Sequence, residues 1–243
     1  MKNFRKIMCA VFAVMLALPF ALVFTACSGT TYNVSTVDEL NEALKNAQSG
    51  SKIVLQSNLG ISSPIVITKK ITLDLNGKTI SNSTDLWNED AGDWSLISVR
   101  ATADEDGNIT SKGELIIEGE GSLLAKENDC YAVDVMHGAS CTINNGTFVG
   151  NIHAVYVYEG SLTVNGGKYS IQQLYNVSGK EYEFVLNCYD ANRQSEKASI
   201  VVYGGEFTRF NPANCQAEGP NTNFVAEGYT VEQTENVYKV VRG

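Results

Sequence analysis

Short segments in which apolar and polar residues alternate recur along this chain, and several are near copies of one another. Residues 141–148 (CTINNGTF), 162–169 (LTVNGGKY) and 200–207 (IVVYGGEF) share one pattern, and residues 115–123 follow it more loosely. Side chains alternate between the two faces of a β-strand, so this pattern predicts strands. Its repetition predicts that successive strands stack on one another as coils of a solenoid.

A second pattern precedes the first one in the repeats. Residues 131–138 match residues 153–160 at a spacing of 22, with residues 95–100 and 183–191 as outer copies. Each coil therefore contains at least two strands.

The spacing of the repeats also locates insertions. The glycines that mark successive repeats, Gly121, Gly146, Gly167 and Gly205, are 25, 21 and 38 residues apart. The longest step contains residues 172–182 and 192–197, which we expect to form loops on the outside of the solenoid.

A period near 22, with alternating β-branched residues and Asn-Gly or Gly-Gly corners, resembles the parallel β-helix of the pectate-lyase-like superfold. The resemblance covers nearly all of the mature chain and implies an all-β fold, a right-handed single-stranded parallel β-helix of about five to six coils. This superfold hosts lyases, hydrolases, adhesins and phage proteins, so the resemblance implies an architecture and no particular activity.

The repeat alignment predicts which side chains fill the core and which elements cover the ends. Val133, Val135, Val155 and Val157 are predicted to face inward, and Asn144 and Asn165 to form an amide ladder between coils. Open strand edges need covers. Residues 35–50 have capping-box spacing at Thr36 and Glu39 and predict a capping helix that Gly50 ends, while residues 228–233 and 236–241 predict a C-terminal β-hairpin cap.

The N-terminus has the layout of an export signal. Lys2, Arg5 and Lys6 precede an apolar run over residues 7–24, and no acidic residue occurs before Asp38. Residues 24–29 (FTACSG) resemble a bacterial lipoprotein box, which implies lipid attachment at Cys27 and an outward-facing anchor in the bacterial cell membrane. Cleavage without lipid, giving a secreted protein, and an uncleaved membrane anchor are the alternatives.

These features divide the chain into a signal peptide at residues 1–26, a short tether at 27–34 and one β-helix domain at 35–241. Removal of the signal peptide changes the net charge from −9 to −12, because it takes away three basic residues and no acidic ones. An acidic surface without a stripe of Lys and Arg excludes nucleic acid as a partner.

Six cysteines in an exported chain raise the question of disulfides. Cys141 aligns with Leu115 and Leu162, and Cys188 aligns with Val135 and Val157. Cysteine therefore replaces aliphatic core residues, and we expect buried free thiols; structural disulfides are the alternative.

One outward face carries the candidate ligand-binding residues. They comprise three tyrosines for stacking and four polar partners: Tyr156, Tyr158, Tyr189, Asp134, His137, Glu159 and Asp190. Neighbouring coils lie about 4.8 Å apart, which brings aligned side chains within reach of one another. Three interpretations remain open: a solvated face, a sugar-binding strip, or a catalytic pair of carboxylates.

The resemblance also gives criteria for activity. Polysaccharide lyases of the superfold pair calcium-binding acids with an Arg or Lys base, and the related hydrolases carry Asp-Asp and Gly-His-Gly signatures. Neither signature is present, and Arg100 is the one basic residue aligned with the face. Residues 104–108 (DEDGN) resemble part of a calcium loop, with a tight turn as the alternative.

We therefore predict a non-catalytic module without a cofactor or metal that presents this face to glycan or to an envelope protein. A polysaccharide lyase or glycoside hydrolase and a structural spacer are the alternatives.

Overall fold

The computed structural model describes residues 29–243 of the chain. The signal segment and Cys27 lie outside the described residues, so export and lipid attachment stay predictions. The described residues form two α-helices, a short 3₁₀ helix at Gln216–Glu218 and twenty-four strands. The helices are α1 (Val37–Asn46) and α2 (Asp190–Gln194). The strands are β1 (Thr31–Val34), β2 (Ser51–Leu55), β3 (Leu59–Ile61), β4 (Ile65–Ile67), β5 (Lys70–Asp74), β6 (Lys78–Asn82), β7 (Ser95–Val99), β8 (Ala101–Ala103), β9 (Ile109–Lys112), β10 (Glu114–Glu118), β11 (Gly121–Leu124), β12 (Tyr131–Val135), β13 (Ala139–Ile143), β14 (Thr147–Gly150), β15 (Val155–Val157), β16 (Gly160–Val164), β17 (Lys168–Ile171), β18 (Tyr175–Val177), β19 (Lys180–Tyr182), β20 (Leu186–Cys188), β21 (Ala198–Val202), β22 (Gly205–Thr208), β23 (Tyr229–Thr234) and β24 (Val237–Arg242).

Three long sheets run the length of the molecule. Sheet A has the order β1-β2-β5-β10-β13-β16-β21, sheet B has the order β23-β24-β22-β17-β14-β11-β6-β3, and sheet C has the order β20-β15-β12-β7-β4. The chain enters the sheets in the sequence A, B, C and repeats this circuit, as in β10-β11-β12 followed by β13-β14-β15. Neighbours from successive circuits pair in parallel. The molecule is thus an all-β parallel β-helix, which confirms the predicted fold class.

The predicted register of the core is confirmed. Val133 pairs with Val155 and Val135 pairs with Val157 across β12 and β15, and all four side chains are fully buried. Burial of these aliphatic side chains is the main stabilising contribution of each coil. Cys141 lies between Leu115 and Leu162 in sheet A, as the alignment predicted.

The thiols of the described residues are free and buried, as expected. They are Cys130, Cys141, Cys188 and Cys215. Burial raises the pKa of the Cys141 thiol to about 12, so this group behaves as a small apolar side chain.

Two ladders run between coils. Phe148, Tyr169 and Phe207 stack in sheet B with ring centroids 5.1 and 4.9 Å apart and interplanar angles of 11° and 12°. These three residues, which we call the internal aromatic stack, are at most 1% exposed. The side-chain Nδ2 of Asn165 donates to Oδ1 of Asn144 at 2.8 Å, which confirms the predicted ladder.

Helix α1 covers the first coil, but it ends earlier than predicted. Thr36 accepts a hydrogen bond from the Glu39 amide at 3.2 Å, which confirms the N-cap, and Leu40 is buried against the core. The helix ends at Asn46 rather than at Gly50, because Ala47 turns into an extended conformation and packs into the core. Gly50, with φ of +89°, instead forms the turn that leads into β2.

The C-terminal cap is the predicted hairpin, with boundaries shifted by one residue. Strands β23 and β24 are antiparallel, and β24 extends sheet B by pairing with β22. Sheet C is closed differently: the Cys188 amide of its last strand donates to Oε1 of Glu218 at 2.9 Å. Burial raises the pKa of Glu218 to about 7.

Candidate ligand-binding face

The outside of sheet C carries a continuous group of aromatic side chains. Its members, which we call the aromatic face, are Trp87, Trp94, Tyr131, His153, Tyr156, Tyr158, Tyr175, Phe184 and Tyr189. Most of these rings meet edge-on or tilted, with centroids 4.5 to 6.4 Å apart. Three pairs are stacked instead, with interplanar angles of 23° to 27°: Trp87 with Trp94, His153 with Tyr156, and Tyr158 with Tyr189.

The repeat places the aromatic residues of the strands next to one another. Tyr156 lies outside the core because its neighbours Val155 and Val157 point inward. Tyr131 and His153 occupy equivalent positions of the repeat, and their ring centroids are 4.5 Å apart. The same register that stacks valines in the core therefore collects aromatic rings on the outside.

The two tryptophans come from a loop that folds over this face. Residues 83–94, which we call the tryptophan loop, begin after β6 and end before β7. The buried carboxylate of Asp129 accepts hydrogen bonds from the backbone amides of Leu86 and Trp87 at 2.9 to 3.0 Å and from Asn82 Nδ2 at 2.6 Å. These bonds fix the first half of the loop, including Trp87.

The second half of the loop is held by Arg100. Its Nη2 donates to the Gly92 carbonyl at 2.6 Å and lies 3.3 Å from Oδ1 of Asp93, while its Nε donates to Ser98 Oγ at 2.5 Å. Trp94 follows directly and packs against Tyr156 and Tyr158 at centroid distances of 5.9 and 6.0 Å.

Asp134 corrects one of the sequence predictions. The sequence predicted that it would be exposed to ligand, but it is fully buried, with Ser98 of the neighbouring strand β7 as its register partner. Ser95 and Ser98 donate to its two carboxylate oxygens. Burial raises the pKa of Asp134 to about 6, although both hydrogen bonds and Arg100 act in the opposite direction. Asp134 is therefore a buried polar neighbour of the aromatic face rather than a residue that contacts ligand.

His153 has a defined protonation state. Its Nδ1 lies 3.0 Å from the Phe184 carbonyl, which only accepts, and its Nε2 lies 2.9 Å from the amide nitrogen of Asn187. Nδ1 therefore carries the hydrogen and Nε2 accepts. Burial lowers the pKa of His153 to about 4, which leaves the ring neutral near pH 7.

An open cleft of about 330 Å³ lies within the aromatic face. The residues that line it are Trp87, Glu89, Trp94, Tyr131, Ile152, His153, Tyr156, Tyr175, Phe184 and Asn187. A second depression of about 410 Å³ adjoins it and shares Trp87, Tyr131 and Ile152. Trp87 and Tyr175 are 40% and 46% exposed, so their rings are available to a ligand.

A larger depression of about 670 Å³ lies beside residues 214–221. It has fewer aromatic residues, and Lys180 Nζ already lies 4.7 Å from the ring centroid of Tyr182. Because Lys180 already covers the Tyr182 ring, we regard the aromatic cleft as the better candidate site.

The structure separates the predicted binding residues. Tyr156 lines the cleft, and Tyr158 and Tyr189 extend the aromatic face beyond it. His137 lies in an exposed turn with φ of +56°, and Asp190 pairs with Arg193 at 2.8 Å. Among the described residues, the side chains of His137, Glu159 and Asp190 form no hydrogen bond or ion pair with one another.

Sequence reasoning missed most of the cleft. None of the candidate residues lay in residues 83–94, although this segment contains both tryptophans of the chain. The repeat alignment already paired Tyr131 with His153, and aromatic residues at equivalent positions were the signal that could have identified them.

The acidic segment at residues 104–108 forms the turn between β8 and β9. Oδ1 of Asp104 accepts hydrogen bonds from the amides of Asp106 and Asn108 at 3.1 and 2.8 Å. Over residues 29–243, no group of three or more His, Cys, Asp or Glu side chains is arranged to hold a metal ion. In the same part of the chain no helix has the length and apolar character needed to span a membrane.

The chain matches no protein-family model, no curated protein and no solved structure. Its function is therefore inferred from the geometry of the aromatic face alone.

Proposed function

We propose that this protein is an exported, lipid-anchored bacterial module that binds glycan on its aromatic face and has no catalytic role. The observation that carries the proposal is the aromatic cleft, in which five or more rings from separate coils and from the tryptophan loop converge. Its volume lies within the range of small-molecule sites, roughly 300 to 1,000 Å³.

The chemistry of the lining supports a sugar ligand. A sugar ring has apolar C–H faces, which pack against aromatic rings, and hydroxyl groups, which need hydrogen-bond partners. Glu89, Tyr175 and Asn187 also line the cleft, and their side chains carry polar groups beside the aromatic rings.

The arrangement of carboxylates favours binding over hydrolysis. Glycosidases need two carboxyl groups facing each other across the bond to be cleaved. Glu89 lines the cleft, whereas Asp129 in the adjoining depression is occupied by the tryptophan loop and Asp134 is buried beneath the face.

A glycan-array screen of the purified protein, with product analysis on every hit, tests the proposal. Tyr156→Ala should weaken binding at least about tenfold, because it removes a ring from the cleft. The matched control is Tyr203→Ala, which truncates a tyrosine that is 41% exposed and packs against Tyr229, outside the cleft.

We expect the protein to bind glycan on the array without releasing sugar products. Among the two variants, only Tyr156→Ala should lose binding affinity. Absence of binding to every glycan, equal loss in both variants, or release of reducing ends or unsaturated products would contradict it.

A further inference from the structure

We propose that the glycan carries protonated amino groups, as a polymer of unacetylated hexosamine does, and that Glu89 binds one of them beside the rings of the cleft. This inference rests on the proposed function and names the substrate class of the same site.

The first step is the charge of the lining. The ionised side chains that line the cleft and the adjoining depression are Glu89, Asp85 and Asp129, and all three are acidic. His153 is neutral near pH 7, as its lowered pKa of about 4 requires. No Lys or Arg of residues 29–243 lines either depression.

The second step is which of these carboxylates is free. Asp85 forms an ion pair with Lys126 at 2.5 Å, and both oxygens of Asp129 accept hydrogen bonds from the tryptophan loop. The Glu89 side chain forms no hydrogen bond or ion pair within residues 29–243, and it is exposed. Glu89 is thus the acid of the cleft that remains available to a ligand.

The third step is the combination of this carboxylate with aromatic rings. The face of an aromatic ring carries negative charge and attracts cations, and a carboxylate beside it adds direct Coulomb attraction. Glu89 lines the cleft together with Trp87, Trp94 and Tyr131. The net charge of −9 also attracts cations and repels anionic glycans at long range.

The Glu89 carboxylate also suits the hydrogen bonds of this ligand class. An ammonium group donates three hydrogen bonds and accepts none, so it needs acceptors in its site. An ionised carboxylate only accepts, and the Glu89 side chain is exposed in the lining of the cleft.

The experiment compares tetramers of β-1,4-linked glucosamine and of N-acetylglucosamine by calorimetry with the purified protein, at mildly acidic pH where the amines are protonated. We expect the cationic tetramer to bind about tenfold more tightly and to lose that advantage at about 0.5 M salt. Glu89→Gln keeps the shape of the side chain and should remove most of the preference. Glu232→Gln, which removes an exposed acid on the C-terminal hairpin outside both depressions, should leave the preference in place.

The outcomes separate this inference from the proposed function. Equal binding of both tetramers, or a preference that Glu89→Gln does not change, would overturn the inference while glycan binding stands. Failure of every glycan to bind would overturn both. Unchanged urea unfolding of Glu89→Gln shows that its effect is local, as expected for an exposed side chain.

Discussion

Two groups of aromatic residues in this protein differ in origin and in exposure, because the repeat aligns the first group and the tryptophan loop contributes to the second. The internal aromatic stack lies in sheet B, is at most 1% exposed, and has nearly parallel rings 4.9 to 5.1 Å apart. The aromatic face lies outside sheet C, is partly exposed, and has rings that mostly meet edge-on or tilted. Parallel rings at the coil spacing fill a core, whereas tilted rings leave a cleft.

The two groups are also supported in different ways. The internal aromatic stack depends on packing between coils, while the aromatic face also depends on buried polar groups. Asp129 accepts a hydrogen bond from the Trp87 amide, and Asp134 is the register partner of Tyr156 on the neighbouring strand. Stability and ligand binding should therefore respond to different substitutions.

The largest effect is expected at the internal aromatic stack. Phe148→Ala removes a fully buried ring and leaves a cavity, so it should lower the free energy of unfolding by about 3 to 5 kcal/mol, measured by urea denaturation. Phe184→Ala, the matched change on the aromatic face, should cost less because its side chain is only half-buried. An equal loss of unfolding free energy in the two variants would contradict the claim that the internal aromatic stack contributes more to stability than the aromatic face.

The next effect is a dependence of the free energy of unfolding on pH that arises from Asp134. The pKa of Asp134 is about 6 in the folded protein and roughly 3.9 in an unfolded chain, so folding favours the protonated form. Through Asp134 alone, the free energy of unfolding should therefore fall by up to roughly 3 kcal/mol as the pH rises from about 4 to about 7. Glu218, whose pKa burial raises to about 7, acts in the same direction.

Asp134→Asn should remove this part of the pH dependence. His153, with a pKa of about 4, acts in the opposite direction as the pH falls, so the difference between wild type and variant is the quantity to compare. A difference that stays constant from about pH 4 to about pH 7 would contradict the burial of Asp134.

A smaller and more local effect is expected from Asp129→Asn. The change removes a charged acceptor for the Leu86 and Trp87 amides, which should cost about 2 kcal/mol and speed hydrogen exchange at both amides. Asp85→Asn is the control, because Asp85 is exposed and bonds only to Lys126. Unchanged exchange at Trp87 would show that the tryptophan loop is held by other contacts.

The smallest effect is expected from the amide ladder. Asn165→Ala removes one exposed hydrogen bond to Asn144 and should change the free energy of unfolding by about 1 kcal/mol or less. Ligand binding should not change, since the ladder lies outside the cleft. A cost as large as that of Phe148→Ala would mean that the ladder, rather than packing, holds the coils together.

The fold could be predicted well because each strand forms from a short repeated segment, and equivalent positions of successive repeats pair with one another. Alignment of Val133 with Val155 fixed the core, and the same alignment placed Cys141 between two leucines. The end of the capping helix was placed too late because Gly50 is a common helix stop, while packing of Ala47 against the core ended the helix at Asn46.

The candidate site was less predictable because insertions do not follow the repeat. Alternation alone placed Asp134 outside the core, but it gives no sign that this residue is buried. The position of Trp87 depends on Asp129, which is 42 residues away in the sequence. Long-range hydrogen bonds of this kind set the shape of the cleft, and the repeat pattern of the sequence does not predict them.

The most direct test of glycan binding at the aromatic face uses the two tryptophans, which are the only ones in the chain and both lie in the tryptophan loop. Their indole N–H signals can be followed by NMR while the glucosamine tetramer is added. Binding in the cleft predicts that both signals shift and saturate together with the calorimetric curve. Saturable binding that leaves both indole signals unmoved would place the ligand elsewhere and contradict the assignment of this face.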